Sequence, residues 1–263
     1  MINRITALYI YPIKGMGGIS MPTSNAGSIG FDLDRRWMLI DDLGSFVSQR
    51  THPQLALFIP SLVDDHIVIN YCDEEIRFRF NEILLVEINT KVWDDAAVTV
   101  EVSKKVNTWL SDRLKKEVRL VKLASDTSRS HRNSRTMDTY DVTLADAYPY
   151  LIIGTASLAE LNGKLVNPIP MDRFRPSVVI ATEIPHEEDK WSEIRIGKAI
   201  FKNIKPCGRC TVITIDQQTG IVDNEPLRIL STYRKSDNSV LFGCYYVCTQ
   251  IGEISIGETV EID

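Results

Sequence analysis

The stretch Lys205-Pro206-Cys207-Gly208-Arg209-Cys210 runs directly into Thr211-Val212-Ile213-Thr214-Ile215-Asp216. A Cys-x-x-Cys pair of the thioredoxin type needs its first cysteine at a helix N-terminus, where the dipole and free N–H groups stabilise the thiolate. The β-branched residues 211–215 instead predict a strand, so the pair stands at a loop-to-strand junction and no helix tunes it. Arg209, between the two cysteines, is the nearest cation. A thiolate beside a fixed positive charge suits metal or nucleophile chemistry. The alternative is an inert pair of small apolar side chains.

Zinc suits the sequence poorly. Cys207 and Cys210 have ligand spacing, but Cys244-Tyr245-Tyr246-Val247-Cys248 is aromatic and β-prone, which places its two thiols on one face of a strand rather than in a turn. The five cysteines are scattered, and no charged-then-apolar leader opens the chain. The expectation is therefore a reducing, cytoplasmic compartment and no disulfide framework.

The 263 residues, 44% hydrophobic and 25% charged, have ordinary globular composition and suffice for one large or two medium domains. No apolar run approaches the ~20 residues that cross a bilayer. A net charge of −5 argues against non-specific nucleic-acid binding, which needs a basic surface. An anionic ligand must therefore find a local basic pocket.

Outward from the cysteine pair, the chain reads mostly as strand. Residues 4–11 are rich in β-formers until Pro12 and Gly15, Gly17 and Gly18 break them into a loop that carries Lys14. Residues 36–40 and 45–48 read as a hairpin around 41–44, residues 66–70 and 75–80 as a second, and residues 83–88 as a further strand. Val102, Val106, Trp109, Leu110 and Leu114 fall at helical spacing and predict a helix over 102–117. Ser157 with Glu160 forms a capping-box pattern opening a second helix, with Leu158, Leu161 and Leu165 as its stripe. Residues 124–140 are polar and read as a mobile loop, in which Arg129, Arg132 and Arg135 are solvated charge or a phosphate contact. The fold class is mostly β (α+β), a barrel or sandwich with a few short helices, divided near residues 118–124.

Five segments occur in an order that resembles the MOSC family: Tyr11-Pro12-Ile13-Lys14-Gly15, Asp34-Arg35-Arg36-Trp37, Asp172-Arg173-Phe174-Arg175-Pro176, Cys207-Gly208-Arg209-Cys210 and Leu241-Phe242-Gly243-Cys244-Tyr245. The chain is most similar to the branch with an added N-terminal MOSC β-barrel domain, which includes amidoxime-reducing components and bacterial relatives. The resemblance implies a MOSC N-terminal β-barrel-like domain over 1–120 and a MOSC β-barrel over 121–263. It also implies a molybdenum cofactor, a pterin that holds the metal through a dithiolene, with a protein cysteine adding another sulfur.

By motif position Cys210 matches the metal ligand and Cys207 becomes its neighbour. Lys14, Arg35, Arg175 and Arg209 match cofactor-contacting cations, with guanidinium groups suited to phosphate. Gly15, Ala147, Tyr148, Gly208 and Tyr245 fall at the remaining cofactor-binding positions. Arg35 and Arg175 have an alternative, ion pairing with Asp34 and Asp172. Asp146 matches an acidic catalytic position, where a carboxylate relays protons or orients substrate, or else it is a turn residue before Pro149. The four histidines carry no motif. Two departures stand out: Gly15 where many relatives have serine, and Ala147-Tyr148 in place of a Thr-Ser pair.

The implied function is a molybdenum-dependent reductase of N-hydroxylated compounds such as hydroxylamines, amidoximes and N-hydroxylated bases. No Cys-x4-Cys-x2-Cys run follows the MOSC motifs, and no Gly-x-Gly-x-x-Gly fingerprint follows a strand. Electrons are then expected from a separate flavin or iron–sulfur reductase. The alternatives are a cofactor carrier or sulfur-transfer module that turns over no substrate, and a pyridoxal phosphate binder with Lys14 as the Schiff-base amine.

Overall fold

The computed structural model describes residues 2–124, 128–132 and 137–263. Strands dominate, as the sequence predicts, and three α-helices are interspersed: α1 (Lys104–Leu114), α2 (Thr155–Asn162) and α3 (Leu227–Tyr233). The first half of the chain forms a five-stranded sheet in the order Glu87–Val92, Asp95–Glu101, Arg119–Leu123, Trp37–Ile40, Ile13–Lys14. Beside it lies the three-stranded meander Ile59–Val63, His66–Tyr71, Glu74–Arg79. Val106, Leu110 and Leu114 of α1 enter one core cluster with Trp37, Phe58 and Phe78. This is the apolar stripe that the helical spacing predicts.

The second half centres on the long antiparallel pair Ala199–Arg209 and Ser239–Gln250, within a nine-stranded sheet. Cys244 and Cys248 both face its core, with Tyr150, Phe201 and Tyr246. Ile5–Ile10 joins this sheet from the other end of the chain, pairing antiparallel with Val178–Ile180 on one side and Ile19–Met21 on the other. The strand path does not close into the expected barrel: apart from the isolated bridge from Arg4 to Thr259, its two ends stay unpaired. Gly243, at φ +70°, lets the long strand press against its neighbour, because a Cβ there would meet Ile153 Cγ1 at 2.6 Å.

Several local expectations are overturned. Thr211–Thr214 is a short 3-10 helix, and the strand comes before it, running through Cys207 and ending at Arg209, one residue short of Cys210. The last ladder contact is Arg209 with Val240, so the run from 211 finds no ladder partner, and only its end makes an isolated bridge, Ile215 to Val222. Thr214 instead donates its hydroxyl to Thr211 O at 2.8 Å, and Ile213 is buried in the core. Residues 45–48 form no strand; they make two isolated bridges, Phe46 antiparallel to Ile40 and Ser45 parallel to Lys91. The strand expected at 83–88 begins at Glu87.

Ser157 does not cap α2, whose N-cap is Gly154. It sits buried inside the helix and donates to the Glu188 carboxylate at 2.8 Å. Within the expected mobile loop, Arg129–Arg132 and Thr139–Val142 form a two-stranded ladder, and Arg129 is buried rather than solvated. Arg135 lies outside the described residues.

Candidate functional site

Turns and strand ends from both halves converge on one open cleft of about 890 Å³, mouth included. Lys14, Gly15, Arg35, Asp146, Ala147, Tyr148, Arg175, Gly208, Arg209, Cys210 and Tyr245 all line it. Ser48, Gln49 and Arg50 line it too, and nothing in the sequence pattern had singled these out.

The two cysteines part company at the strand end. Cys207 is buried, inside the core of the second half, and Arg209 Nη1 donates to its sulfur at 3.1 Å. Cys210 is exposed and caps the 3-10 helix. The guanidinium hydrogen-bonded to it is that of Arg50 rather than Arg209: Arg50 Nη1 lies 3.4 Å from Cys210 Sγ and 3.7 Å from Asp146 Oδ2. The Arg50 guanidinium lies 4.4 Å from the Trp93 ring centroid and 5.9 Å from that of Phe46.

Lys14 is buried at the floor, where its ammonium donates to Leu144 O at 2.9 Å and to the Asp146 carboxylate. Burial is the largest influence on it and brings its pKa down to about 8, against the pull of Asp146. Asp146 is lowered as well, but for the opposite reason. Burial would raise it, but the ammonium of Lys14, then Arg50 and Arg35, hold the carboxyl well below the usual range. The pair is therefore ionised at neutral pH, with Lys14 the member closer to losing its charge. Because Lys14 is engaged by two acceptors, the geometry favours a hydrogen-bonded ammonium over a Schiff base.

Arg35 and Arg175 both adopt left-handed backbone, at φ +49° and +55°, a conformation that costs a side-chain-bearing residue about 1–2 kcal/mol. Each guanidinium lies over the Tyr11 ring, at 4.6 and 4.2 Å. Arg35 pairs with Asp34 at 2.5 Å, and Asp34 also accepts from the Tyr11 N–H at 2.6 Å. The expected alternative of an Arg175–Asp172 pair is not observed. Among the described residues the Arg175 guanidinium meets no carboxylate and makes no hydrogen bond, and burial brings its pKa down to about 10. Arg209 Nη2 donates to Phe174 O at 2.7 Å, while its buried Nε and the buried Tyr148 hydroxyl have no partner. Buried polar atoms of this kind are rare without a reason, and these two belong to residues that line one cleft. Tyr148 packs on Tyr245 with ring centroids 5.3 Å apart.

Gly15, at φ +88°, provides a turn that a serine would strain. Its carbonyl accepts from Gln49 Nε2 at 2.8 Å. Arg129 braces the cleft from behind, donating to Asp95, to Thr143 O at 3.4 Å and to Ala145 O. It thus ties the Trp93 turn to the segment that presents Asp146.

This architecture, a β-rich scaffold offering one exposed thiol within a ring of cations, matches a known pair of domains. Residues 2–117 match the MOSC N-terminal beta barrel domain and residues 139–261 the MOSC domain, so the chain belongs to the MOSC family. Its relatives include Mitochondrial amidoxime-reducing component 1 of Danio rerio, 31% identical over 274 residues that cover 98% of this chain and 84% of the relative. Mitochondrial amidoxime reducing component 2 of Bos taurus is 29% identical over 281 residues, covering 98% and 83%.

Proposed function

We propose that the chain is a molybdenum-cofactor oxidoreductase that reduces N-hydroxylated compounds with electrons delivered by a separate redox protein. One observation carries this reading: a single exposed thiol, Cys210, shares a cleft with five cations, while among the described residues the only carboxylates bonded to them are Asp34 and Asp146. The names of the relatives point the same way.

The residues suit the cofactor. Its soft metal calls for a thiolate, which Cys210 offers. Its phosphate and pterin call for donors, which the partnerless Arg175 guanidinium and Arg209 Nε offer, together with Arg35 and backbone N–H groups around Gly15, Ala147 and Gly208. When bound, the cofactor supplies the two-electron chemistry. Cleavage of an N–O bond by two electrons consumes two protons and releases water, so the site must also handle protons. Asp146 is already a carboxylate, which makes it an acceptor that orients an N–H or O–H of the substrate. Lys14, with its pKa at about 8, is the member of the pair whose proton is transferable near neutral pH. Tyr148 and Tyr245 form an apolar wall that limits water.

The test uses protein from a host that makes the cofactor. Elemental analysis is expected to find molybdenum, and an amidoxime is expected to be reduced with a chemical donor or a flavin or iron–sulfur reductase, but not with NADPH alone. Bound molybdenum without turnover under any donor would instead support the carrier reading.

A further inference from the structure

Arg50 is the one cleft cation that the cofactor reading leaves without a task, and its placement is specific. Its Nη1 is within reach of both Cys210 Sγ and Asp146 Oδ2, while its Nε and Nη2 make no hydrogen bond among the described residues. The side chain keeps 20% of its surface exposed, and it lines the cleft. Its plane is set by the Trp93 and Phe46 rings, which themselves meet edge to face at 5.3 Å. Trp93 is held in turn. It occupies a hairpin turn in left-handed backbone, φ +58°, and the nearby Asp95 accepts from buried Arg129 and lies 2.8 Å from His131 Nδ1. A guanidinium fixed in this way pays little entropy to bind a further anion. The local charge favours one as well: among the described residues Lys14, Arg35, Arg50, Arg175 and Arg209 are paired only with Asp34 and Asp146, in a chain of net charge −5.

We propose that Arg50 is the anion-receiving residue at the thiol end of the cleft, and that it makes the site prefer N-hydroxylated compounds that carry a carboxylate near the N–O group. The preference for this substrate class rests on the reductase reading above. The anion-receiving role does not.

Two measurements separate them. The first uses the full chain prepared without cofactor in a Cys72→Ser background, since Cys72 is the other exposed thiol. Alkylation of Cys210 by iodoacetate is compared with alkylation by neutral iodoacetamide, so that the fraction of thiolate cancels in the ratio. A unit charge about 4 Å away in water corresponds to a factor of about five, so Arg50→Gln is expected to lower the ratio about five-fold. Arg50→Lys should restore most of it, and Trp93→Ala, which loosens the guanidinium, should give an intermediate value. All variants should melt with the parent.

The second uses the loaded enzyme. kcat/KM for a carboxylate-bearing hydroxylamine, relative to its methyl ester, is expected to fall in Arg50→Gln, mainly through KM, with the ester little affected. An unchanged alkylation ratio in Arg50→Gln overturns the anion role, and an unchanged carboxylate-to-ester ratio overturns the substrate class. If no substrate turns over in the parent, the reductase reading fails and the alkylation ratio alone decides the role of Arg50.

Discussion

Replacing Arg129 with methionine tests whether one buried cation holds two walls of the cleft together. The side chain has no exposed surface and donates to Asp95, Thr143 O and Ala145 O. Methionine fills much of the volume but donates nothing, so it strands one carboxylate and two carbonyls. Breaking a buried pair from one side costs about 3–5 kcal/mol. Here Asp95 is 23% exposed and keeps His131, which moves the expected loss to about 2–4 kcal/mol. For a chain of this size a loss of about 3 kcal/mol corresponds to a fall in Tm of about 6–12 °C. Urea denaturation of Arg129→Met, Asp95→Asn and the double variant measures the coupling directly, and it should exceed about 1 kcal/mol. A loss below about 1 kcal/mol in the single variant, or simple additivity in the cycle, would refute the bracing argument.

Cys210→Ala is expected to abolish reduction with an unchanged melting temperature. Cys207→Ala, which empties a core position, should cost about 1–2 kcal/mol of stability and keep measurable turnover; equal loss of activity in both, with the fold intact, would point to a dithiol mechanism. Lys14 loses its proton near pH 8 in the folded chain but near 10.5 when unfolded. Between these values the unfolded chain holds the extra proton, so this group makes stability rise with pH. The stability difference between the parent and Lys14→Met, followed by urea denaturation from pH 7.5 to 10.5, should therefore move in favour of the parent, and a flat or reversed trend would contradict the burial argument. Gly15→Ser should lower stability by about 1–2 kcal/mol, because its positive φ penalises a Cβ, and an unchanged Tm would show that the turn relaxes freely.

Much of the architecture was legible where a periodicity could be completed locally. The helix α1 follows its apolar stripe, and the strands His66–Tyr71 and Glu74–Arg79 follow their turn. The run 211–215 misled because strand preference has effect only beside a partner: the neighbouring strand reaches no further than its first residue, Ser239, and only Ile215 finds a bridge, to Val222. The cleft residues quoted from the five motifs do converge on one cleft. Arg50 and Arg129 were not legible, since their meaning depends on side chains that approach from far along the chain: Cys210 is 160 residues from Arg50, and Asp95 is 34 from Arg129. An arginine in a polar stretch looks the same whether it ends in solvent or in the core.

The pairing of Ile5–Ile10 with Val178–Ile180 has a consequence for biogenesis. A ribosome releases that strand early, together with its local partner Ile19–Met21, but Val178–Ile180 only after most of the chain has been made, so one edge of the first strand must wait unpaired through much of synthesis. Local structure such as α1 can form during this time, but the large sheet cannot, and non-local pairing of this kind is slow and prone to aggregation. The two halves matched as separate domains are thus not separable pieces. Expressed alone, the second would display an open edge at Val178–Ile180 where its missing first strand belongs.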